Sequence, residues 1–451
     1  MPLLSFANAI FRSRLYPVAF QVIFGVVFGL VLLYAFFGPP MGENNFAVAV
    51  TWRLWWLALP FSFLLFGRLW CGVCPVGALS DLAQKAPVPG RRMPGAFLKE
   101  GGSWIMGLLF LLFFWVGMVR HICCWPLETA VVLLLFVGGA LALGLAYHGR
   151  VWCRYLCPLG IFSGLYSMTG IVGLRPSREV CRDECRVDKQ RVLREELKAC
   201  PLFQVPTAME SNRNCNLCGN CVKYCQYGSM RLTPLNPVGE IGRLQRPVNG
   251  EAFFALILVA IAFVEAIQTT RLFPSYMKWA LELNILTSYD TVFSLSLLVV
   301  VALCVGSYAL ASYLYARLND GESQVSSASF AYGFIPLALA AYLGVSAFRL
   351  ASHGARAVQV AINQLTFSLA PFDLPPPVRG SFYDVDLPLK ALQLIILALG
   401  TVGALYVIGK VARRGGETRV LARALPFGAL ALLFSATFLY SFLLPAGVIL
   451  H

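Results

Sequence analysis

Long apolar runs separated by short polar stretches dominate the chain. Nine of them, at about 17–37, 46–66, 104–120, 127–147, 252–270, 291–316, 330–349, 389–409 and 425–444, approach or exceed the ~18–20 residues that cross a bilayer as a helix. The pattern predicts an all-α polytopic membrane bundle of about nine transmembrane helices. A further stretch, 158–174, is apolar but short and predicts a re-entrant or interfacial helix. Arg12 and Arg14 precede the first run, which is too long for the apolar core of a signal peptide and has no small-residue cleavage site after it. A retained first span is expected.

Composition agrees. The 451 residues are 58% hydrophobic, with a mean hydropathy of +0.70, beyond ordinary soluble usage. The formal charge of +14 would suit a nucleic-acid partner, but the basic residues flank the apolar runs. Topology explains them, with the lipid bilayer as partner and no nucleic acid. With the N-terminus inside, segments 1–16, 67–103, 148–251, 317–329 and 410–424 all face inward and hold 28 of the 36 Lys and Arg residues. A tenth span at 158–174 would put the most basic segment outside. The expected division is 1–174, a pseudo-symmetric four-helix membrane unit; 175–250, a small soluble insert on the cytoplasmic side; and 251–451, a five-helix unit with an outside loop at 350–388. Pro375, Pro376 and Pro377 with Asp373, Asp384 and Asp386 make that loop a candidate cap or docking surface.

Fourteen cysteines change the picture. Cys215-Asn-Leu-Cys218-Gly-Asn-Cys221-Val-Lys-Tyr-Cys225 has the C-x2-C-x2-C-x3-C spacing of bacterial ferredoxins, in which a tight loop supplies three thiolates to one cubane and the fourth cysteine serves another. Zinc sites instead pair two separated hooks. Cys200-Pro201 supplies the Cys-Pro that closes a ferredoxin half-motif. Crossed ligation gives Cys200, Cys215, Cys218 and Cys221 to a first 4Fe-4S cluster. It leaves Cys181, Cys185 and Cys225 to a second, one ligand short. Asp183, Asp188, a membrane-domain cysteine or a three-iron cluster would answer that shortfall. Cys225 is followed by Gln226 rather than the usual proline. Between Cys185 and Cys200, residues 186–198 predict a solvated helix.

The first half also contains a repeat. Gly67-Arg-Leu-Trp-Cys71-Gly-Val-Cys74-Pro-Val-Gly77 matches Gly149-Arg-Val-Trp-Cys153-Arg-Tyr-Leu-Cys157-Pro-Leu-Gly160. Each copy follows an even-numbered span. Cys71, Cys74, Cys153 and Cys157 form a ligand set for one more cluster at the membrane edge, with Arg68 and Arg150 offsetting its charge. A redox dithiol is the main competing reading and zinc a weaker one. Within or near the spans, Arg53 and Glu265 are candidates as intramembrane charges, and Glu265 with Gln268 forms a candidate quinol-site acid. His353 is expected at the start of the outside loop. His121-Ile-Cys123-Cys124 is either a tight hairpin or a metal site using His121, and Cys304 is expected to pack.

The paired W-C-x2/3-C-P-[LV]-G motifs followed by the cysteine-rich segment resemble the membrane polyferredoxin family over roughly residues 17–250. That family includes NapH, NosR and the oxidase-assembly protein CcoG. The resemblance implies a ferredoxin-like insert and a multi-pass protein of the bacterial inner membrane. It further implies an electron-transfer component that passes electrons between quinone or quinol and a protein redox partner. Its assembly-protein members imply the alternative, a maturation factor for a respiratory metalloenzyme. The five C-terminal spans lie outside the resemblance, and a transporter role for them has no substrate signature behind it.

Overall fold

The computed structural model describes residues 2–185, 200–205, 208–282, 288–319, 325–366, 387–416 and 418–446. Helix α1 (Pro2–Arg12) precedes α2 (Val18–Phe37) and α3 (Phe46–Phe66). Two short helices, α4 (Leu69–Val73) and α5 (Pro75–Ala83), lead to α6 (Ala96–Val119) and α7 (Pro126–Ala146). Then come α8 (Pro158–Tyr166), β1 (Val172–Pro176), α9 (Asn220–Tyr224) and β2 (Met230–Pro234). The rest is helical: α10 (Asn249–Gln268), α11 (Leu272–Glu282), α12 (Tyr289–Leu318), α13 (Ala328–Leu365), α14 (Leu387–Arg413) and α15 (Val420–Leu443).

Among the described residues nine helices, α2, α3, α6, α7, α10 and α12 to α15, are long and apolar enough to cross a membrane. Two of them outrun the hydropathy pattern. Helix α6 begins eight residues earlier than its apolar run, because Ala96-Phe-Leu-Lys-Glu-Gly-Gly-Ser is helical though too polar for lipid. Helix α13 continues past 349 to Leu365, and its extension buries Gly354, Ala357, Val360 and Ala361, one face of a helix. His353 therefore lies within a helix and not at the start of a loop. Residues 367–386 of the expected loop lie outside the described residues, as does the helix expected at 186–198. The 158–174 stretch resolves into the nine-residue α8, a turn and β1. At 1.5 Å per residue α8 is about 14 Å long, half a bilayer core.

The chain forms two compact units, the first comprising residues 1–33, 62–110 and 130–240, the second 34–61, 111–129 and 241–451. In the first, Phe63, Phe110 and Phe162 form an aromatic core, with Phe110 stacked on Phe162 at 4.9 Å between ring centroids. β1 and β2 pair antiparallel, Val172 opposite Pro234 and Pro176 opposite Met230. Helix α1 lies along β2, where Asn8 accepts from the Leu232 amide at 2.8 Å. Phe11 and Tyr16 complete an apolar cluster with Val73, Leu174, Leu217, Val222 and Met230.

In the second unit α10 is 83% buried by protein over its apolar window and α13 78%, whereas α12 is only 22% buried. A helix apolar all round and enclosed by protein is the core of its bundle, while α12 offers its surface to lipid. Without a hydrophobic drive between helices in lipid, small residues set the close contacts. A Cβ on Gly400 of α14 would fall 2.2 Å from the Ala340 Cβ and 2.9 Å from the Pro336 carbonyl of α13. Gly400→Leu is therefore expected to push the two helices apart and cost about 1–3 kcal/mol, seen as a lower thermal-unfolding midpoint in detergent. Gly409→Leu on the same helix, where a Cβ would meet nothing within 4 Å, should melt like the wild type.

Candidate metal centre

Both copies of the repeat begin with a glycine in the left-handed region, Gly67 at φ 59° and Gly149 at φ 72°, where other residues are strained. Each copy then makes one short helical turn that ends at its second cysteine. Cys74 and Cys157 are extended (ψ 127° and 117°), and Pro75 and Pro158 open α5 and α8. The Cys-Pro pair causes this: proline disfavours a helical residue before it and is preorganised for the first helical position. The second copy has one residue more between its cysteines. That residue is absorbed by a π-turn, Trp152–Leu156, in which the Cys157 amide donates to the Trp152 carbonyl at 2.7 Å.

The two arginines lock the copies together by exchange. Arg68, 2% exposed, donates through Nε to the Cys71 Sγ at 3.2 Å, through Nη2 to the Cys153 carbonyl at 3.2 Å and through Nη1 to the Arg213 carbonyl at 3.0 Å. Arg150, 1% exposed, donates through Nη1 to the Cys71 carbonyl at 3.0 Å and forks onto Asp81 at 2.9 and 2.5 Å. The glycine closing each motif makes room for the other copy's arginine. A Cβ on Gly77 would sit 2.8 Å from Arg150 Nη1, and one on Gly160 3.2 Å from Arg68 Nη2.

Burial dominates three of the four thiols, Cys74, Cys153 and Cys157. It pushes Cys153 up to about 12 against the pull of Arg150. Burial and the nearby Cys153, Cys71 and Cys74 hold Cys157 well above the ordinary thiol value. Cys71 Sγ also lies 3.4 Å from Ser163 Oγ.

The second thiol group is built on the loop between Cys200 and α9. Cys200, Cys215, Cys218 and Cys221 line a single small cavity together with Leu174, Met209 and Gly219. Leu217 (φ 53°) and Gly219 (φ 77°), both left-handed, fold the Cys215–Cys221 loop. Backbone amides reach the sulfurs, with Gln204 donating to Cys200 Sγ at 3.3 Å and Leu217 and Asn220 to Cys215 and Cys218. Burial raises Cys215 to about 11 and Cys218 to about 12. The Arg150 amide donates to the Pro201 carbonyl, next to Cys200, at 2.9 Å, so the repeat and this loop share a backbone contact.

Cys181, Cys185 and Cys225 do not line that cavity. Register still relates them: Pro176 opposes Met230, so the chain leaving β1 toward Cys181 and the chain entering β2 from Cys225 lie at one end of the ladder. Cys181 Sγ is 3.1 Å from Ser229 Oγ. Asp183 is exposed, and Asp188 lies outside the described residues.

Among the described residues no group of three or more His, Cys, Asp or Glu side chains closes on a point suited to a single metal ion. The residues fit a cluster better: thiols ringed round a cavity, amides aimed at sulfur, and buried guanidinium groups to balance negative charge. Asp81, Ser163, Gly77 and Gly160 complete this site. Sequence reasoning assigned none of them a role, although both glycines were visible as the last letter of the shared motif.

In the second unit, a separate cavity of ≈ 140 Å³ holds Glu265, Gln268, His353, Cys123 and Cys124. Glu265, 3% exposed, is ion-paired with Arg349, a partner the sequence did not single out. The His121 ring instead lies 5.4 Å from that of Tyr289. Cys304 is buried in α12.

These features define a membrane protein with an iron–sulfur binding domain. A family model described as a 4Fe-4S binding domain matches at residues 48–94 and 129–175, the two copies of the repeat with the helices that lead into them. The chain is also 29% identical over 152 residues to the "Regulatory protein NosR" of Pseudomonas aeruginosa, an alignment covering 29% of this chain and 21% of that protein. The chain thus spans about a fifth of the length of that curated relative. No solved structure matches the chain.

Asp81→Asn would leave Arg150 buried without its carboxylate. Removing one partner of a buried pair is strongly destabilising, and because Asp81 is 41% exposed the lower end of that range, about 3 kcal/mol, is expected. A detergent melt should show it. Glu282→Gln, which removes a solvent-exposed pair with Lys278, should change little.

Proposed function

We propose that this chain is a membrane-bound iron–sulfur protein that passes electrons between the quinone pool and a protein redox partner. The observation that carries this reading is the pair of four-thiol groups, Cys71, Cys74, Cys153 and Cys157 beside Cys200, Cys215, Cys218 and Cys221, tied together through Arg68 and Arg150. When bound, the clusters would supply one-electron carriers. The protein's own part is to supply thiolates, aim amides at sulfur and surround the site with fixed cations. Hydrogen bonds to sulfur and nearby charge are the levers that set cluster potentials. Cys181, Cys185 and Cys225 would hold a further centre with a ligand from elsewhere. The proposed arrangement has a four-helix unit over 1–174, a ferredoxin-like insert over 175–250 and a five-helix unit over 251–451. The N-terminus and insert would face the cytoplasm of a bacterial inner membrane.

The second reading, a maturation factor for a respiratory metalloenzyme, is the one that the assembly-protein members of the resembled family imply; the relative's printed name says only that it is a regulatory protein. Anaerobically purified protein whose iron signals are reduced by quinol favours the conduit. Iron signals that ignore quinol, with loss of a metalloenzyme's maturation in a deletion strain, favour the factor.

Cys218→Ser should abolish one iron–sulfur signal in redox-titrated EPR. Cys74→Ser with Cys157→Ser should abolish a different one while leaving the first. Unchanged iron signals in the double variant would remove the membrane-edge centre from the scheme. Reporter fusions after Gln226 and after His451 should label opposite sides of the membrane; same-side labelling would overturn the proposed topology.

A further inference from the structure

The second unit's cavity, which contains the candidate quinol-site residues Glu265 and Gln268, has the features of a built site. Its four aromatic walls, Trp52, Trp56, Phe113 and Phe114, come from α3 and α6. Its volume of ≈ 140 Å³ is close to the roughly 150 Å³ of a cavity known to take up benzene, and so suits one ring. Polar groups gather at the same place: Arg53, Glu265, Gln268, Arg349 and His353. Arg53 projects from Ala49–Trp55, a π-helical segment within a spanning helix, and such departures recur at functional sites. Arg349 spends one arm on Glu265 and another on Gln268 Oε1 at 3.4 Å, while its Nε is buried with no hydrogen-bond partner. An apolar slot with several donors and one acid inside a membrane bundle suits a planar ring bearing carbonyl oxygens.

Cys123 and Cys124 line this cavity too, their Sγ atoms 3.6 Å apart. Their turn is pinned from α7, where the single Thr129 hydroxyl proton is shared between the Ile122 and Trp125 carbonyls at 2.9 and 3.0 Å and its oxygen accepts from the Trp52 indole at 3.0 Å. We propose that the cavity holds the ring of a membrane quinone and that Cys123 and Cys124 exchange an electron pair with it as dithiol and vicinal disulfide. The inference rests on the proposed function only in taking a quinone as the diffusible carrier.

The step balances. Two S–H bonds break and one S–S bond forms; the two electrons and two protons pass to the quinone, whose carbonyl oxygens become the two hydroxyls of a quinol. The reverse step reduces the disulfide. The hydrogen bond between the two thiols, aided by Arg53, lowers the Cys124 thiol against the effect of burial, while that same bond and burial raise Cys123. Cys124 is thus the more readily ionised of the two. Adjacent Cα atoms stand about 3.8 Å apart across a trans peptide, less than the ~4.4 Å at which disulfides usually begin. A bridge here is strained and easily reduced. The dithiol is the resting form, and the pair reports the oxidation state of the bound carrier.

The test uses the full chain in lipid nanodiscs, reduced and kept anaerobic with a chelator. The probe is a short-chain ubiquinone analogue whose ring carbons are all substituted, so that no thiol adduct forms. After exposure, free thiols are alkylated and the peptide carrying Cys123 and Cys124 is weighed. The expected result is a loss of both alkylations and a peptide lighter by two hydrogens. Gly117 also lines the cavity, and a Cβ there would meet nothing within 4 Å. Gly117→Leu should fill the slot and abolish oxidation by the quinone, while the small oxidant diamide still forms the bridge. A pair that stays fully alkylated in wild type while the iron signals respond to quinol overturns this inference and leaves the proposed function standing. Oxidation of the pair with iron signals indifferent to quinol supports the inference and removes the conduit. Equal oxidation of wild type and Gly117→Leu would overturn the binding site.

Discussion

Everything in the first unit depends on two guanidinium groups that have been taken out of water. An unpaired buried charge is among the most costly things a fold can hold, so Arg68 and Arg150 constrain whatever surrounds them. Each reaches into the other copy of the repeat for one of its partners. The Cys71 and Cys153 carbonyls are fixed by the arginine of the opposite motif, and the opposite glycine is kept bare to admit it. Two separate helical hairpins thereby become one rigid frame for four thiols. The same arginines extend outward, Arg68 to the Arg213 carbonyl and the Arg150 amide to that of Pro201, so the loop carrying the other four thiols is seated on the frame.

The spans were legible because a bilayer imposes a length and a polarity that hydropathy reads directly. Where the outline failed, the cause was local. Residues 350–365 are helical through an amphipathic face that includes Ala357 and Val360, a pattern that a search for uniform apolarity passes over. The polar first turns of α6 were missed for the same reason. Spacing alone grouped Cys200, Cys215, Cys218 and Cys221, and these four line one small cavity. What spacing could not give was the electrostatic half of the site. Asp81 is an unremarked residue in a short helix, and only the fold brings it to Arg150.

The pairing of Glu265 with Arg349 illustrates the same limit. Glu265 stood out as an acid in an apolar run, but its partner is more than eighty residues away on a helix whose end the sequence misplaced. A chain read in order shows a lone charge; the bundle shows a neutral pair beside a slot. His121 and His353 changed places in a similar way. The histidine next to the cysteines in sequence turns to Tyr289, and the distant one shares their cavity.

The choice of arginine at the frame has an effect on what reaches the thiols from solution. A guanidinium does not give up its proton at any pH a cell meets. A centre proposed between Arg68 and Arg150 would keep both guanidinium charges whatever the pH, while Asp81, forked onto Arg150, is the carboxylate beside them. Under the proposed scheme, electron traffic at the repeat would not be tied to the protonation of these two cations, and a proton accompanying an electron would be handled elsewhere in the molecule.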